Sequence, residues 1–287
     1  MATSSPPVIW ACPPWRLWGA RKTGRAETMA TVLLVGAGNM GFAMLKGWAK
    51  DGGLRLMVVD PTEALRDRAA AVGAEVYADV AEVPRETDMI VLAVKPQVMD
   101  KVAPPYAEFP GAVMSVAAGV GVARLRGLVG ERPIVRVMPN TPAAIGQGMS
   151  VGYAEGADDT LRALVERLTG VVGETAWIED EGLMDAVTAI SGSGPAYVFH
   201  FIECLASAGE KLGLAPELAL QLARQTVAGA GALAREAGEA PGVLREQVTS
   251  PGGTTAAALA VLRETGALER LVNEAAEAAR DRGRELG

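Results

Sequence analysis

Histidine is nearly absent. The 287 residues contain one, His200, so no metal site built from several imidazoles exists in a single chain. Cysteine is almost as scarce. Cys12 and Cys204 stand far apart and form no CxxC, which removes zinc spacing and a disulfide framework and points to a reducing compartment. No metal is expected. No run of about 18 uninterrupted apolar residues occurs, so a spanning helix is not expected. A basic surplus is also lacking: 27 Lys and Arg face 34 Asp and Glu, for a net charge of −7, and nothing is left to neutralise nucleic-acid phosphates. Aromatic residues make up 5%, with none after Phe201. What remains, 49% hydrophobic and 21% charged, is the composition of a soluble globular enzyme, and its length allows one large domain or two ordinary ones.

Residues 1–28 differ from the rest. They hold Trp10, Trp15 and Trp18, the basic residues Arg16, Arg21, Lys22 and Arg25, and no acid before Glu27. Pro6, Pro7, Pro13 and Pro14 break any helix, and there is no continuous apolar core for a signal peptide. This stretch is expected to be a disordered extension outside the fold, with Met29 as the working start.

From Met29 the punctuation becomes regular. Strand-like runs are expected at Thr31–Val35, Arg55–Val59, Met89–Val94, Ala112–Val116, Ile134–Met138 and Glu174–Ile178. Helices are expected at Ala43–Lys50, Glu63–Val72, Asp79–Arg85 and Asp158–Leu168, with a loop over Pro139–Gly148. Apolar strands alternating with helices imply an α/β, Rossmann-like doubly wound parallel sheet over 29–179. After Ile178 strand signals vanish. Leu183–Ile190, Ala196–Leu212, Pro216–Glu236, Gly242–Val248, Thr254–Glu264 and Ala267–Leu286 read as helices, giving an all-α second domain over 180–287. Its helices are built from Ala, Leu, Val and Gly and bury little area per residue, so this half is expected to complete its core against a second copy.

The chemistry starts at Gly36-Ala37-Gly38-Asn39-Met40-Gly41, a GxGxxG between the first strand and the first helix. The first glycine permits the tight turn, the second lets backbone approach a pyrophosphate, and the third lets helix and strand pack closely. The helix start adds free N–H groups and partial positive charge. Asp60 ends the next strand, 19 residues after Gly41, where a ribose-binding carboxylate is expected. Its charge favours NAD. Asp60 is also a good cap for the following helix, and Arg66 and Arg68 keep NADP open. Lys95, before Pro96, and the small residues Ser115–Gly119 stand at the carboxyl ends of strands, where ligands of open α/β sheets bind.

Two further stretches open helices in the second half: Ser191-Gly-Ser-Gly-Pro-Ala-Tyr197, too polar and glycine-rich for a helix interior, and Ser250-Pro-Gly-Gly-Thr-Thr255. Free N–H groups and hydroxyls at a helix start suit a carboxylate or phosphate. A strong base is missing. His200 lies in an apolar helix and is read as a core or interface residue, and Lys211 sits at a helix end. Reduction of a C=N bond suits such a chain, because a cationic iminium already carries its proton.

The chain from Met29 onward resembles the pyrroline-5-carboxylate reductase family. The match runs in order through Gly36–Gly41, Ala93-Val-Lys-Pro96, Ala117-Ala-Gly119, Met138-Pro-Asn-Thr-Pro142, Ser191–Tyr197 and Ser250–Thr255. The resemblance implies hydride reduction of 1-pyrroline-5-carboxylate to L-proline, the last step of proline biosynthesis, with NADPH or NADH, in the cytoplasm. It places Asn39, Met40, Lys95, Ala118 and Gln247 at the cofactor, beside the candidate cofactor residues Gly36, Ala37, Gly38, Gly41, Asp60, Ala93, Val94, Pro96 and Ala117. Glu181, Val248, Ser250, Gly253, Thr254 and Thr255 fall at the substrate, with Thr255 the hydroxyl nearest the ring nitrogen and the residue expected to act in catalysis. It also implies a homodimer through the C-terminal helices, with five dimers in a ring as a larger assembly. The family often has a serine or a basic residue where Asp60 stands. Two other readings fit the residues alone. A β-hydroxyacid dehydrogenase would need a catalytic lysine in the second half, and a dinucleotide sensor would bind without turnover.

Overall fold

Short apolar, β-branched runs are stable as strands only when both faces are covered, and the central strands here are buried almost end to end. The computed structural model describes residues 29–286; the expectations for residues 1–28, Cys12 among them, lie outside these. Eight strands form one sheet: β1 (Ala30–Val35), β2 (Leu54–Val59), β3 (Glu75–Tyr77), β4 (Met89–Leu92), β5 (Ala112–Ser115), β6 (Ile134–Met138), β7 (Gly148–Ala154) and β8 (Gly173–Trp177). Their order is β3-β2-β1-β4-β5-β6-β7-β8. The chain leaves β1 in one direction to β2 and β3, then crosses to β4 on the other side. That reversal opens a crevice beyond the carboxyl ends of β1 and β4.

The helices of this half are α1 (Asn39–Trp48), α2 (Glu63–Ala70), the short α3 (Met99–Val102), α4 (Val122–Val129) and α5 (Asp159–Gly170). Successive residues of β1 face opposite sides. Val32 and Leu34 pack with Met44, Leu45, Trp48 and Leu168. Leu33 and Val35 pack with Tyr106, Phe109, Leu125 and Val129 on the other face. Each such buried side chain contributes roughly 1.5–3 kcal/mol.

Three local expectations fail. The sheet is not wholly parallel, because β7 runs antiparallel to β6. The connection over residues 139–147 is too short for a crossover helix, so the chain makes a 3-10 turn at Thr141–Ile145 and folds back. Strand β7 escapes the sequence pattern because Gly148 and Gly152 dilute it. Gly152 is required there: a Cβ would come within 2.7 Å of the Trp177 ring. The helix expected at Asp79–Arg85 is a single 3-10 turn, Val80–Glu82, capped by Asp79 and stopped before Pro84, and the three-residue β3 precedes it.

Beyond Trp177 the chain is helical: α6 (Met184–Val187), α7 (Gly194–Lys211), α8 (Pro216–Glu236), α9 (Pro241–Gln247), α10 (Thr254–Arg263) and α11 (Ala267–Leu286). Ser191-Gly-Ser-Gly is not a break. A π-helical turn at Thr188–Gly192 carries the helical path through it to α7, held by Ser193 N–H donating to the Thr188 carbonyl at 2.8 Å. Helices α7 and α8 form a hairpin through Gly213, whose φ of +96° requires glycine. Gly209 lies against Ala219, so the small residues bring the backbones together. The buried apolar residues of this half are few and small: Met184, Ala189, Ala206, Ala219 and Ala223. Phe199 (59% exposed), Phe201 (47%), Leu271 (58%) and Val272 (52%) remain uncovered. His200 is exposed on α7, its Nδ1 3.1 Å from Glu203, so it is not a core residue of the chain. Among the described residues no helix is long and apolar enough to cross a membrane, and no cluster of three or more His, Cys, Asp or Glu offers a metal site.

Trp48 ties the two ends of the first half together. Its indole N–H donates at 2.7 Å to the Leu168 carbonyl, in the last turn of α5, where helical carbonyls lack intrahelical partners. Trp48→Phe removes that donor and should cost about 1–3 kcal/mol. The expected result is a lower urea midpoint with an unchanged far-ultraviolet dichroism spectrum.

Candidate active site

The crevice is shaped by where side chains cannot exist. At Gly36, directly after β1, φ is +94° and a Cβ would lie 2.8 Å from the Ala93 carbonyl and 2.9 Å from Val94. At Gly41, inside α1, a Cβ would overlap the Gly36 carbonyl. At Gly38 a Cβ would meet nothing within 4 Å. The first and third glycines therefore allow close packing, and the second faces open space. Gly38 is the N-cap of α1 and no side chain caps that helix, so the first N–H groups are left for a ligand. Open space, free donors and a helix start together fit a pyrophosphate.

Gln247 apart, the other expected cofactor residues stand at the strand ends around this loop. Ala93 N–H donates to the Val35 carbonyl at 2.9 Å, which seats the Ala93–Pro96 turn beside Gly36. Lys95 is exposed where β4 ends, and Pro96 opens a 3-10 turn. Ala117 is buried and Ala118 half-buried at the end of β5, where Ser115 Oγ accepts from Ala117 N–H at 3.3 Å. Asp60 is only 5% exposed. Its carboxylate accepts from Ala37 N–H at 2.8 Å and from Thr62 N–H at 2.9 Å.

The substrate residues are placed differently. Gly253 caps α10 with no side-chain hydrogen bond, so the N–H groups of its first turn, at Thr254 and Thr255, point out of the helix start. Gly253 N–H donates to the Ser250 carbonyl at 3.0 Å, which closes the turn. Val248 is 64% exposed, and Gln247 donates to Glu239 at 2.8 Å. Among the described residues, no hydrogen bond or ion pair joins residues 247–255 to the dinucleotide half of the same chain.

Other contacts join the two halves. Asn140 Nδ2 donates to Ser191 Oγ at 3.3 Å, and Asn140 Oδ1 accepts from Met149 N–H at 2.9 Å. The end of β6 is thereby tied to the serine-glycine turn, beside a groove of about 630 Å³ that includes Pro142, Tyr197, Phe199 and Val272. The Tyr197 hydroxyl is buried without a partner among the described residues. Glu181, expected at the substrate amine, faces the dinucleotide half. Its Oε1 accepts from Arg136 at 2.7 Å and from Val122 N–H at 2.8 Å, capping α4 from outside the helix. Burial and the nearby Glu155, Glu181 and Asp180 raise the Tyr153 pKa, so this neighbour of Arg136 in the sheet stays a neutral phenol. Arg136 was not singled out from the sequence, although a charge inside Ile134-Val-Arg-Val-Met138 was a usable signal. Asn140 was part of a quoted motif without an assigned role.

Comparison with known proteins bears on this geometry. Residues 181–286 match the family described as pyrroline-5-carboxylate reductase dimerisation, and residues 31–119 match NADP oxidoreductase coenzyme F420-dependent. The pyrroline-5-carboxylate reductase of Pseudomonas aeruginosa is 39% identical over 263 residues, covering 89% of this chain and 96% of the relative. The chain belongs to the pyrroline-5-carboxylate reductase family. Among solved structures, the enzyme of Coxiella burnetii superposes with a TM-score of 0.85 at 34% identity, covering 90% of this chain and 99% of that one. The Plasmodium falciparum pyrroline carboxylate reductase, solved with NADP bound, gives 0.76 at 30% identity, covering 91% and 99%. Both halves thus follow the family fold.

Arg136 and Glu181, with side chains 9% and 29% exposed, hold the first helical residues onto the sheet. A double-mutant cycle with Arg136→Met and Glu181→Gln should give a coupling of about 1–3 kcal/mol in unfolding free energy. A coupling near zero would mean the pair does not fasten the halves.

Proposed function

We propose that the chain reduces 1-pyrroline-5-carboxylate to L-proline with NADH or NADPH. One observation carries this reading: a chain of this family joins a glycine loop open at Gly38 to a second uncapped helix start at Gly253. When bound, the reduced nicotinamide supplies the hydride that C5 of the ring accepts.

The chain's own groups do the positioning. Gly36, Ala37, Gly38, Asn39, Met40 and Gly41 hold the pyrophosphate through backbone N–H groups and the α1 dipole. Ala93, Val94, Lys95, Pro96, Ala117 and Ala118 line the strand ends where the nicotinamide belongs. The substrate carboxylate sits on the N–H groups of Thr254 and Thr255, next to the Gly253 cap and flanked by Val248 and Ser250. Thr255 directs its hydroxyl to the ring nitrogen. That nitrogen already carries the proton, so hydride addition at C5 gives the amine of proline without a side-chain base. The exposed His200 on α7 and Lys211 at its end are not needed. Glu181 and Gln247 complete the substrate and cofactor walls in this reading.

The working unit is a homodimer. Phe199, Phe201, Leu271 and Val272 are uncovered in the monomer, a surface that supports burial against a second copy. Among the described residues the threonine turn has no hydrogen bond to its own dinucleotide half, which supports a site completed across that interface. Five such dimers in a ring is the larger assembly, the cytoplasm the compartment, and the functional division falls between 179 and 180.

Two measurements check the proposal. The purified chain should oxidise NADH or NADPH only when 1-pyrroline-5-carboxylate is added, with proline as product; binding without turnover would leave a sensor. Thr255→Val should lower kcat/KM by an amount equivalent to about 1–3 kcal/mol. An unchanged kcat/KM would remove Thr255 from the site.

A further inference from the structure

Arg136 is a charge inside an apolar strand. It is 8% exposed on β6 and stands level with Ser115, the last residue of β5, in the sheet register. The segment that follows Ser115, residues 116–121, is the one that meets the nicotinamide in the proposed function. It is pinned at both ends. At the near end, Val116 N–H donates to the Leu92 carbonyl at 3.1 Å and Ala117 N–H donates to Ser115 Oγ at 3.3 Å. At the far end, Val122 N–H donates to Glu181 Oε1 at 2.8 Å, across 59 residues of chain. Gly121, the N-cap of α4, has no side chain to do this itself.

Arg136 decides where that carboxylate stands. Its Nη1 donates at 2.7 Å to the same Oε1 that holds Val122. One oxygen serves both donors, and among the described residues Oε2 makes no hydrogen bond. A Cβ on Gly121 would lie 3.5 Å from Oε1, so the carboxylate packs against the end of the segment as well. A buried ion pair adds little stability over an apolar pair of the same volume, but its charge-assisted hydrogen bonds fix a direction. The direction fixed here is that of the Val122 donor, where the segment ends.

We propose that Arg136 is a positioning residue for hydride transfer. It holds Glu181 on the Val122 N–H and thereby sets residues 116–121 against the nicotinamide ring. Misplacing a reacting ring by about 1 Å lowers the rate steeply. The proposal rests on the strand ends being the nicotinamide site, and it gives Glu181 a part in placing the hydride donor besides its place in the substrate wall.

Isothermal titration without substrate separates the nicotinamide end of the cofactor from the rest. The full chain, as wild type and as Arg136→Met, is titrated with NADH and with ADP-ribose, which lacks the nicotinamide; NADPH and 2′-phospho-ADP-ribose form a second pair. Arg136→Met should bind the reduced dinucleotide about tenfold more weakly, with the ring-less partner changed by less than about twofold, and kcat should fall about tenfold or more. Arg136→Lys, which keeps the charge and a donor, should recover most of both losses. An unchanged affinity for the reduced dinucleotide, or an equal loss for the ring-less partner, would overturn the proposal, since a merely structural role moves both ligands alike. If Arg136→Met does not fold, Glu181→Gln decides by the same titrations, which contain no substrate. If wild type bound none of the four ligands, the dinucleotide reading itself would fall; binding of a pair by wild type with no difference between its members in the variants would remove Arg136 alone.

Discussion

No side chain fits between the Gly36 carbonyl and the start of α1. That steric fact sets the distance between β1 and its helix, and so the position of every free N–H group at the helix start. The rest of the crevice is arranged around it. Val59, Ala93 and Asp60 each make a backbone or side-chain bond to this loop or to the strand leading into it. Arg68 closes the ring of contacts from α2. The loop is held on several sides, so under the proposed function a dinucleotide would meet a site that needs little ordering.

The helical half follows a different constraint. Alanine and glycine let α7 and α8 approach closely, but such residues bury too little area to stabilise the half alone. Several of its larger apolar side chains, among them Phe199, Phe201, Leu271 and Val272, are therefore left exposed. The fastening between halves is polar and local: Arg136 with Glu181, Asn140 with Ser191, and Arg235 with Gln147. Polar fastenings tie the halves together, while the apolar surface stays exposed, which is what the proposed dimer would cover.

Much of this was legible in the residues. Strands β1, β2, β4, β5, β6 and β8 announce themselves as short apolar runs, and helices α8 and α11 begin and end as expected because Pro216 and Gly266 mark their starts. What was hidden depends on distant partners. Strand β7 contains Gly148, set by the Val172 carbonyl and Ala143, and Gly152, set by Trp177 many residues later. The antiparallel reversal follows from the length of a loop rather than from any residue in the strand. At the site, the glycine fingerprint gave the tight strand-to-helix turn directly, since its physics is local. The role of Glu181 toward Arg136 and Val122 was not visible, because it needs β6, α4 and residue 181 to meet in space. The two amide bonds of the Asp60 carboxylate were hidden for the same reason. Asp60 was recognised by position, while its orientation belongs to the fold.

The central claim is that a dinucleotide on the glycine loop and a cyclic imino acid on the threonine turn face each other across one cleft. A crystal structure with L-proline and a nicotinamide dinucleotide tests it most directly. The expected result is the proline carboxylate on the N–H groups of Thr254 and Thr255, its ring nitrogen beside the Thr255 hydroxyl, and the nicotinamide at Ala117–Ala118. Proline seated away from that turn, or a dinucleotide away from Gly38, would contradict it.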